Sequence, residues 1–310
     1  MTESRLVALC QGFGSADNGR VTGRPDTLLL GLVGADIEAS RSPAMHEREA
    51  AAHGLRCIYR RVDLTRLELT CDALSELLTA ARRLGFAGLN ITHPCKQSVM
   101  PFLTDLSDEA RAIGSVNTVV FDGDQRIGHN TDCYGFRQSF IDRLPGAALG
   151  RVAQVGAGGA GAATGYAALE LGARELVIVD TNHERARSLA ERLASTFSRP
   201  VHAADHLSAA LHGADGLIHA TPTGMFGYPG LAIPASLLRA DLWVAEVVYF
   251  PLETELLRVA KRIGCRTLDG GGMAVHQAVE AFRLFTGLQA DAARMRRFFE
   301  SFDVPPGQDR

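Results

Sequence analysis

Apolar and polar positions alternate along this chain in two rhythms. The near-continuous run "TLLLGLVG", Thr27 to Gly34, predicts a buried strand. Ser42 as N-cap with Pro43 at the first helical position predicts a helix from Pro43. "RCIYRRVDL" reads as a second strand, and "CDALSELLTAARRLG" as an amphipathic helix closed by Gly85. "FAGLNIT" is a third strand that runs into His93 and Pro94, and "SVNTVVFDGDQRIGHNTD" reads as a hairpin turning at Asp122–Gly123. From Arg151 onward the rhythm changes. "RVAQV" precedes a glycine turn and an alanine-rich helix, followed by the strand "ELVIVD", the helix "HERARSLAERLAST" and the strands "GLIHAT" and "WVAEVVY". "MAVHQAVEAFRLFTG" completes the chain as one long amphipathic helix. Strands alternating with helices imply βαβ units on a parallel sheet.

The 310 residues suit two domains, and 46% apolar with 22% charged residues is the balance of an ordinary globular protein. The expected fold class is α/β, a Rossmann-type nucleotide-binding domain plus a smaller α/β substrate domain. The expected divisions are a flexible leader at 1–26, a substrate domain at 27–130 and 273–310, and a nucleotide domain at 131–272. A net charge of -3 gives no basic surface for nucleic acid, and no apolar run is long enough to span a bilayer. The first twenty or so residues lack the basic start and apolar stretch of a signal peptide. Six scattered cysteines without C-x-x-C spacing point to a reducing, cytoplasmic setting and to no bound metal.

Gly156, Gly158 and Gly161 form G-x-G-x-x-G between a strand and a helix. The pattern alone is weak, but its context fits a dinucleotide site. The first glycine allows the tight turn, the second the approach of a pyrophosphate, and the third the packing of helix on strand. The helix start offers free N–H groups to phosphates, so Ala157 and Gly159 join the candidate set. Asp180 ends the next strand, where an acid can bind the adenosine ribose 2′-OH and repel a 2′-phosphate. NAD is therefore expected over NADP. A plain helix cap is the alternative for Asp180. Arg185 is placed to stack on adenine or meet a phosphate, or to remain a surface charge.

The first half carries denser signals: "GADIEASRSPAMH" from Gly34, "GLNITHPCK" from Gly88, "GSVNT" from Gly114 and "GHNTDCYGF" from Gly128. "HATPTGM", "YFPLETELL" and "GGGMAVHQAVEAF" follow in the second half. Together, from about Leu28 to the C-terminus, they resemble the shikimate dehydrogenase family, most closely its bacterial NAD-dependent quinate/shikimate dehydrogenases.

The resemblance implies that Lys96 and Asp132 are catalytic, a pair able to exchange a proton with a substrate hydroxyl as hydride leaves its carbon. It also implies that Ser40 and Ser42, with Tyr249, take a substrate carboxylate, and that Asn90, Thr92, Asn117 and Gln277 bond ring hydroxyls. Thr221, Val247 and Gly270 fall at family positions lining the cofactor. The substrate expected is shikimate, with quinate also plausible, in a monomer or homodimer. Ser42, where quinate-preferring members often have Thr, favours shikimate. Four positions depart from the family pattern: Ala39, Cys95, His219 and Glu246. Alternatives are a dehydrogenase of aminoshikimate or another cyclic hydroxy-acid, a non-catalytic sensor of NAD or shikimate, and a methylene-tetrahydrofolate dehydrogenase. The "SRSP" and "NTD" motifs speak against the last, and the intact Lys96 and Asp132 against the sensor.

Overall fold

The computed structural model describes residues 27–301, so the predicted leader and Cys10 lie outside the described residues. In chain order the first half holds β1 (Thr27–Gly34), α1 (Ser42–Ala52), β2 (Arg56–Asp63), α2 (Leu74–Arg83), β3 (Gly88–Ile91) and the short α3 (Cys95–Ser98). Then come β4 (Asp105–Leu106), α4 (Asp108–Ile113), β5 (Thr118–Asp122), β6 (Gln125–His129) and α5 (Thr131–Arg143). The second half holds β7 (Arg151–Val155), α6 (Gly159–Glu170), β8 (Glu175–Val179), α7 (His183–Phe197), β9 (Val201–Ala203) and α8 (Leu207–Leu211). It ends with β10 (Gly216–His219), β11 (Trp243–Glu246), α9 (Glu255–Ile263), β12 (Arg266–Leu268), α10 (Gly270–Thr286) and α11 (Ala292–Ser301).

Among the described residues two six-stranded sheets result. The first has order β2-β1-β3-β5-β6-β4, parallel at β2-β1-β3 and antiparallel where the hairpin β5-β6 joins β3. The second is parallel throughout, in order β12-β11-β10-β7-β8-β9. Read from β9, that order is the dinucleotide-binding one, with its crevice between β7 and β10, where the chain reverses direction across the sheet.

Helix α10 joins the halves. Its Val275, Val279 and Phe282 pack with Met45 of α1 and with Met295 and Phe299 of α11. Its other side crosses α5 closely enough that a Cβ at Gly135 would come within 2.5 Å of the Met273 carbonyl oxygen. Glu49 of α1 accepts from Nη2 and Nε on one guanidinium edge of Arg294, at 2.6 and 2.7 Å, and so ties α11 to the first half.

Some local expectations are corrected. Ser42 is not the cap of α1. Arg41 occupies that place with its side chain turned to the Phe299 carbonyl at 2.9 Å and not to the helix start, and Ser42 is already helical. Ser40 Oγ instead accepts the Ser42 N–H at 3.4 Å, the short-range bond serine offers two residues ahead. The hairpin turns on Gly123–Asp124, one residue later than expected, with Gly123 at φ 56°. The long C-terminal helix starts at Gly270, where Asp269 caps it. Helices α5 and α11 were not expected. The buried face of α5 mixes Thr131, Asp132, Gly135 and Ser139 with its phenylalanines, so it lacks an apolar stripe.

Candidate functional site

Lys96 and Asp132 come from separate elements that meet in the cleft between the sheets. Lys96 sits in α3, just after β3 and the cis His93–Pro94 peptide. Asp132 lies in the first turn of α5, where the helix dipole favours a carboxylate. Asn130 caps that helix through the Cys133 N–H at 3.2 Å and donates to the Ser115 carbonyl at 2.9 Å.

Lys96 Nζ donates to Asp132 Oδ2 at 2.5 Å, with side-chain exposures of 19% and 9%. The pair is thus shielded from bulk water yet reachable. The other carboxylate oxygen accepts from Asn117 Nδ2 at 2.9 Å, while Asn117 Oδ1 accepts the Thr131 N–H at 2.8 Å. Asn117 therefore fixes both the start of α5 and the carboxylate it presents.

Two other predicted substrate residues are linked to this pair, Asn90 through Asn117 and Gln277 through Thr131. Asn90 is buried. Its Oδ1 accepts the Tyr59 hydroxyl at 2.6 Å and its Nδ2 donates to Thr118 Oγ1 at 3.0 Å. Thr92 is half-buried at the end of β3. Gln277, on α10, accepts from Thr131 Oγ1 at 3.4 Å and donates to the Ala274 carbonyl at 3.0 Å.

Ser40 and Ser42 flank Arg41, whose guanidinium lies 4.7 Å from the Phe299 ring and 5.7 Å from that of Phe250. Tyr249 stands next to Phe299, with ring centroids 5.9 Å apart. The residue is 42% exposed overall, but burial of its phenol, and then the charge of Asp132, raise its pKa above the ordinary range while Arg41 acts against them. Tyr249 is accordingly a hydroxyl donor.

The loop that carries the serines is organised by Asp63. Its carboxylate accepts the amides of Ile37 at 2.9 Å, Thr65 at 3.1 Å and Asp36 at 3.2 Å. Burial works to raise this carboxyl, but the amides of Ile37, Arg66, Asp36 and Thr65 hold it below the usual carboxylate range.

The glycine turn lies between β7 and α6, as expected. Gly156 has φ 107°, and a Cβ there would meet the Ala220 carbonyl oxygen at 2.4 Å. A Cβ at Gly161 would lie 2.2 Å from the Gly156 carbonyl oxygen, whereas one at Gly158 would meet open space. That is the division of labour a pyrophosphate cradle needs, with two glycines packed and one facing open space. The N-terminus of the twelve-residue α6 opens beside it.

Asp180 Oδ2 accepts the Ala157 N–H at 2.7 Å and Oδ1 the Asn182 N–H at 2.8 Å. Asn182, not Asp180, caps α7, through the Arg185 N–H at 3.0 Å. The carboxylate is therefore fixed against the turn itself, and the Arg185 side chain is exposed.

Across the crevice, Thr221 Oγ1 is 2.6 Å from His219 Nε2, and His219 Nδ1 is 2.8 Å from Glu246 Oε1. Two of the family departures, His219 and Glu246, thus form one buried pair that supports Thr221. Val247 is half-buried just beyond β11, and Gly270 is pressed on its carbonyl, 2.3 Å from where a Cβ would stand.

Sequence reasoning missed Ser115. Its buried hydroxyl has no hydrogen-bond partner among the described residues and would lie 3.2 Å from a Cβ on Gly159. That same Cβ would lie 3.4 Å from Lys96 Cδ, so the glycine turn and the Lys96–Asp132 pair face one another. Asp63 and Thr131 were missed as well, since their contacts join positions far apart in sequence or involve backbone amides.

The chain is similar to known proteins over most of its length. Residues 32–119 match the family model for the shikimate dehydrogenase substrate binding domain, and residues 270–297 that for the shikimate 5′-dehydrogenase C-terminal domain. The chain is 56% identical over 273 residues to a protein of Streptomyces avermitilis named shikimate dehydrogenase (NADP(+)), covering 87% of this chain and 94% of the relative. It is 49% identical over 280 residues to a quinate/shikimate dehydrogenase (NAD(+)) of Corynebacterium efficiens, covering 89% and 99%. Among solved structures, quinate dehydrogenase from Corynebacterium glutamicum in complex with NAD superposes with a TM-score of 0.84 at 47% identity, covering 89% of this chain and 99% of that one.

Proposed function

The chain belongs to the shikimate dehydrogenase family, and on that premise we propose that it oxidises the ring hydroxyl of shikimate, and also of quinate, reversibly to the 3-dehydro ketone with NAD. The observation that carries this reading is the Lys96–Asp132 pair, held by Asn117 and facing Gly159 of the glycine turn.

A bound nicotinamide dinucleotide supplies the hydride acceptor. The chain's own residues supply the rest. As the hydroxyl carbon loses hydride, the hydroxyl proton passes to the pair, at Lys96 Nζ or Asp132 Oδ2, and from there to solvent. Asn117 keeps the carboxylate oriented, so the pair meets the hydroxyl without prior rearrangement. Ser40, Ser42 and Tyr249 take the substrate carboxylate, with the Arg41 cation close by. Thr92 and Gln277 face the ring hydroxyls, and Asn90 and Asn117 both shape that wall and bond to it.

The turn of Gly156, Ala157, Gly158, Gly159 and Gly161 holds the dinucleotide at its phosphates, with the Ala157 N–H itself kept by Asp180. Arg185 lies near the adenine end, and Thr221, Val247 and Gly270 at the nicotinamide end. Asp180 takes the ribose 2′-OH. A 2′-phosphate there would bring like charges within a few ångströms, worth on the order of a kcal/mol or more in a crevice less polarisable than water. The names of the relatives divide between NAD(+) and NADP(+), so the preference for NAD rests on Asp180. The same reading assigns residues 27–130 and 273–310 to substrate binding and 131–272 to the nucleotide.

The test is to follow reduced nicotinamide formation with shikimate, quinate and aminoshikimate, each with NAD and with NADP. Shikimate with NAD should give the highest kcat/KM, at least about tenfold above shikimate with NADP. Equal use of the two cofactors would remove the role given to Asp180. No turnover with any of the three acids would overturn the activity itself.

A further inference from the structure

Cys71 opens the turn leading into α2, and Cys95 is the first residue of α3, directly before Lys96. Their Sγ atoms are 3.3 Å apart. Cys95 is fully buried and Cys71 half-buried, and neither is in a disulfide. The other buried thiols have partners of a different kind, with Cys133 facing Glu170 and Cys265 facing the Arg239 carbonyl.

We propose that Cys71 and Cys95 are a modification site: a peroxide oxidant converts them to a disulfide, which draws Lys96 out of its working position, and thiol reductants restore it.

The chemistry balances in two steps. Cys71, the more accessible thiol, loses its proton and attacks hydrogen peroxide as its thiolate; an S–O bond forms, the O–O bond breaks, and the hydroxide that leaves takes up that proton as one water, with Cys71 left as a sulfenic acid. Cys95 Sγ then attacks the Cys71 sulfur. The S–S bond forms, the S–O bond breaks, and the thiol proton of Cys95 leaves with the hydroxide as a second water. The peroxide has been reduced and the two thiols oxidised by two electrons. Burial, then the bond to Cys71, push the Cys95 thiol up to about 12, which leaves the first attack to Cys71.

The consequence follows from geometry. A disulfide holds its sulfurs about 2.05 Å apart, so the two must approach by more than an ångström. Helix α3 has four residues, anchored by the Cys95 N–H to Thr92 at 2.8 Å and by the Val116 N–H to the Lys96 carbonyl at 2.8 Å. Movement of Cys95 is therefore passed to its neighbour Lys96. A misplacement of about 1 Å in a reacting group can cost about 10²-fold in rate. The disulfide itself does not depend on the function proposed above; its effect on turnover rests on the role given to Lys96.

The experiment treats the purified full chain with hydrogen peroxide and maps non-reduced peptides by mass spectrometry, with turnover followed in parallel. The proposal expects a Cys71–Cys95 cross-linked peptide lighter by two hydrogens, a fall in turnover of about tenfold or more, and recovery in dithiothreitol. Cys71→Ser and Cys71→Ala should keep basal turnover and lose little on oxidation. If both cysteines remain open to alkylation after other cysteines have oxidised, the site is wrong. If the cross-link forms and turnover holds, the link to Lys96 is wrong. A chain inactive before oxidation would count against the proposed function and leave the disulfide to be judged by its mass alone.

Discussion

His46 is enclosed by Tyr59, Phe282 and Phe285, with ring centroids 5.2 to 6.1 Å away, and neither of its ring nitrogens has a hydrogen-bond partner among the described residues. Burial lowers its pKa from 6.5 to about 4, although the nearby Glu49 carboxylate acts to raise it. The folded state therefore binds a proton less readily than the unfolded chain. Stability from this group is complete above pH 6.5 and is lost as pH falls toward 4. A shift of that size corresponds to about 3 kcal/mol. Urea unfolding of the wild type and of His46→Phe across this window should show the wild type losing more stability than the variant on acidification, by up to that amount. Parallel pH profiles would contradict the assignment. The same contrast between type and environment governs what could be read from the sequence. Lys96 and Asp132 were legible because their motifs are dense and local. His219 and Glu246 read as separate departures, since nothing along the chain shows that a histidine ending β10 faces a glutamate ending β11.

Among the elements, strands β1, β7, β8 and β10 stand where short, mostly apolar segments predicted them, because buried parallel strands need no alternation. Helix α5, which carries Asp132, escaped notice for the opposite reason. It buries small and polar residues against α10, a contact set by close approach and not by an apolar stripe. Gly135 is the residue that allows the approach. In Gly135→Ala the added Cβ would lie 2.5 Å from Met273 O and 2.8 Å from Gln277 N, backbone atoms that cannot turn aside. Overpacking of this kind costs about 1–3 kcal/mol, so thermal unfolding should shift down clearly. Gly158→Ala offers the contrast, since its Cβ meets nothing within 4 Å and its backbone is extended. That variant should melt like the wild type while its KM for NAD rises. Equal melting of all three proteins would remove the packing argument for Gly135.

At the scale of the molecule, the chemistry is assembled from parts that neither half holds alone. The first sheet brings Asn90, Asn117 and Lys96 to one end, α5 adds Asp132, and the glycine turn of the second sheet arrives opposite them. The two-sheet plan was legible from the switch in rhythm at Arg151. The cleft was not, because it depends on how α10 and α11 fold back on α1, through contacts such as Glu49 with Arg294 that span most of the chain. On the proposed function, this meeting point passes a proton through Lys96 while hydride goes to NAD. The most direct test is kcat for NAD-dependent shikimate oxidation in Lys96→Ala, with fluorescence titration of NAD on the same sample. In that variant kcat should fall about 10²-fold or more, with the wild-type fold retained and NAD affinity little changed. A folded Lys96→Ala protein that oxidises shikimate at the wild-type rate would contradict it.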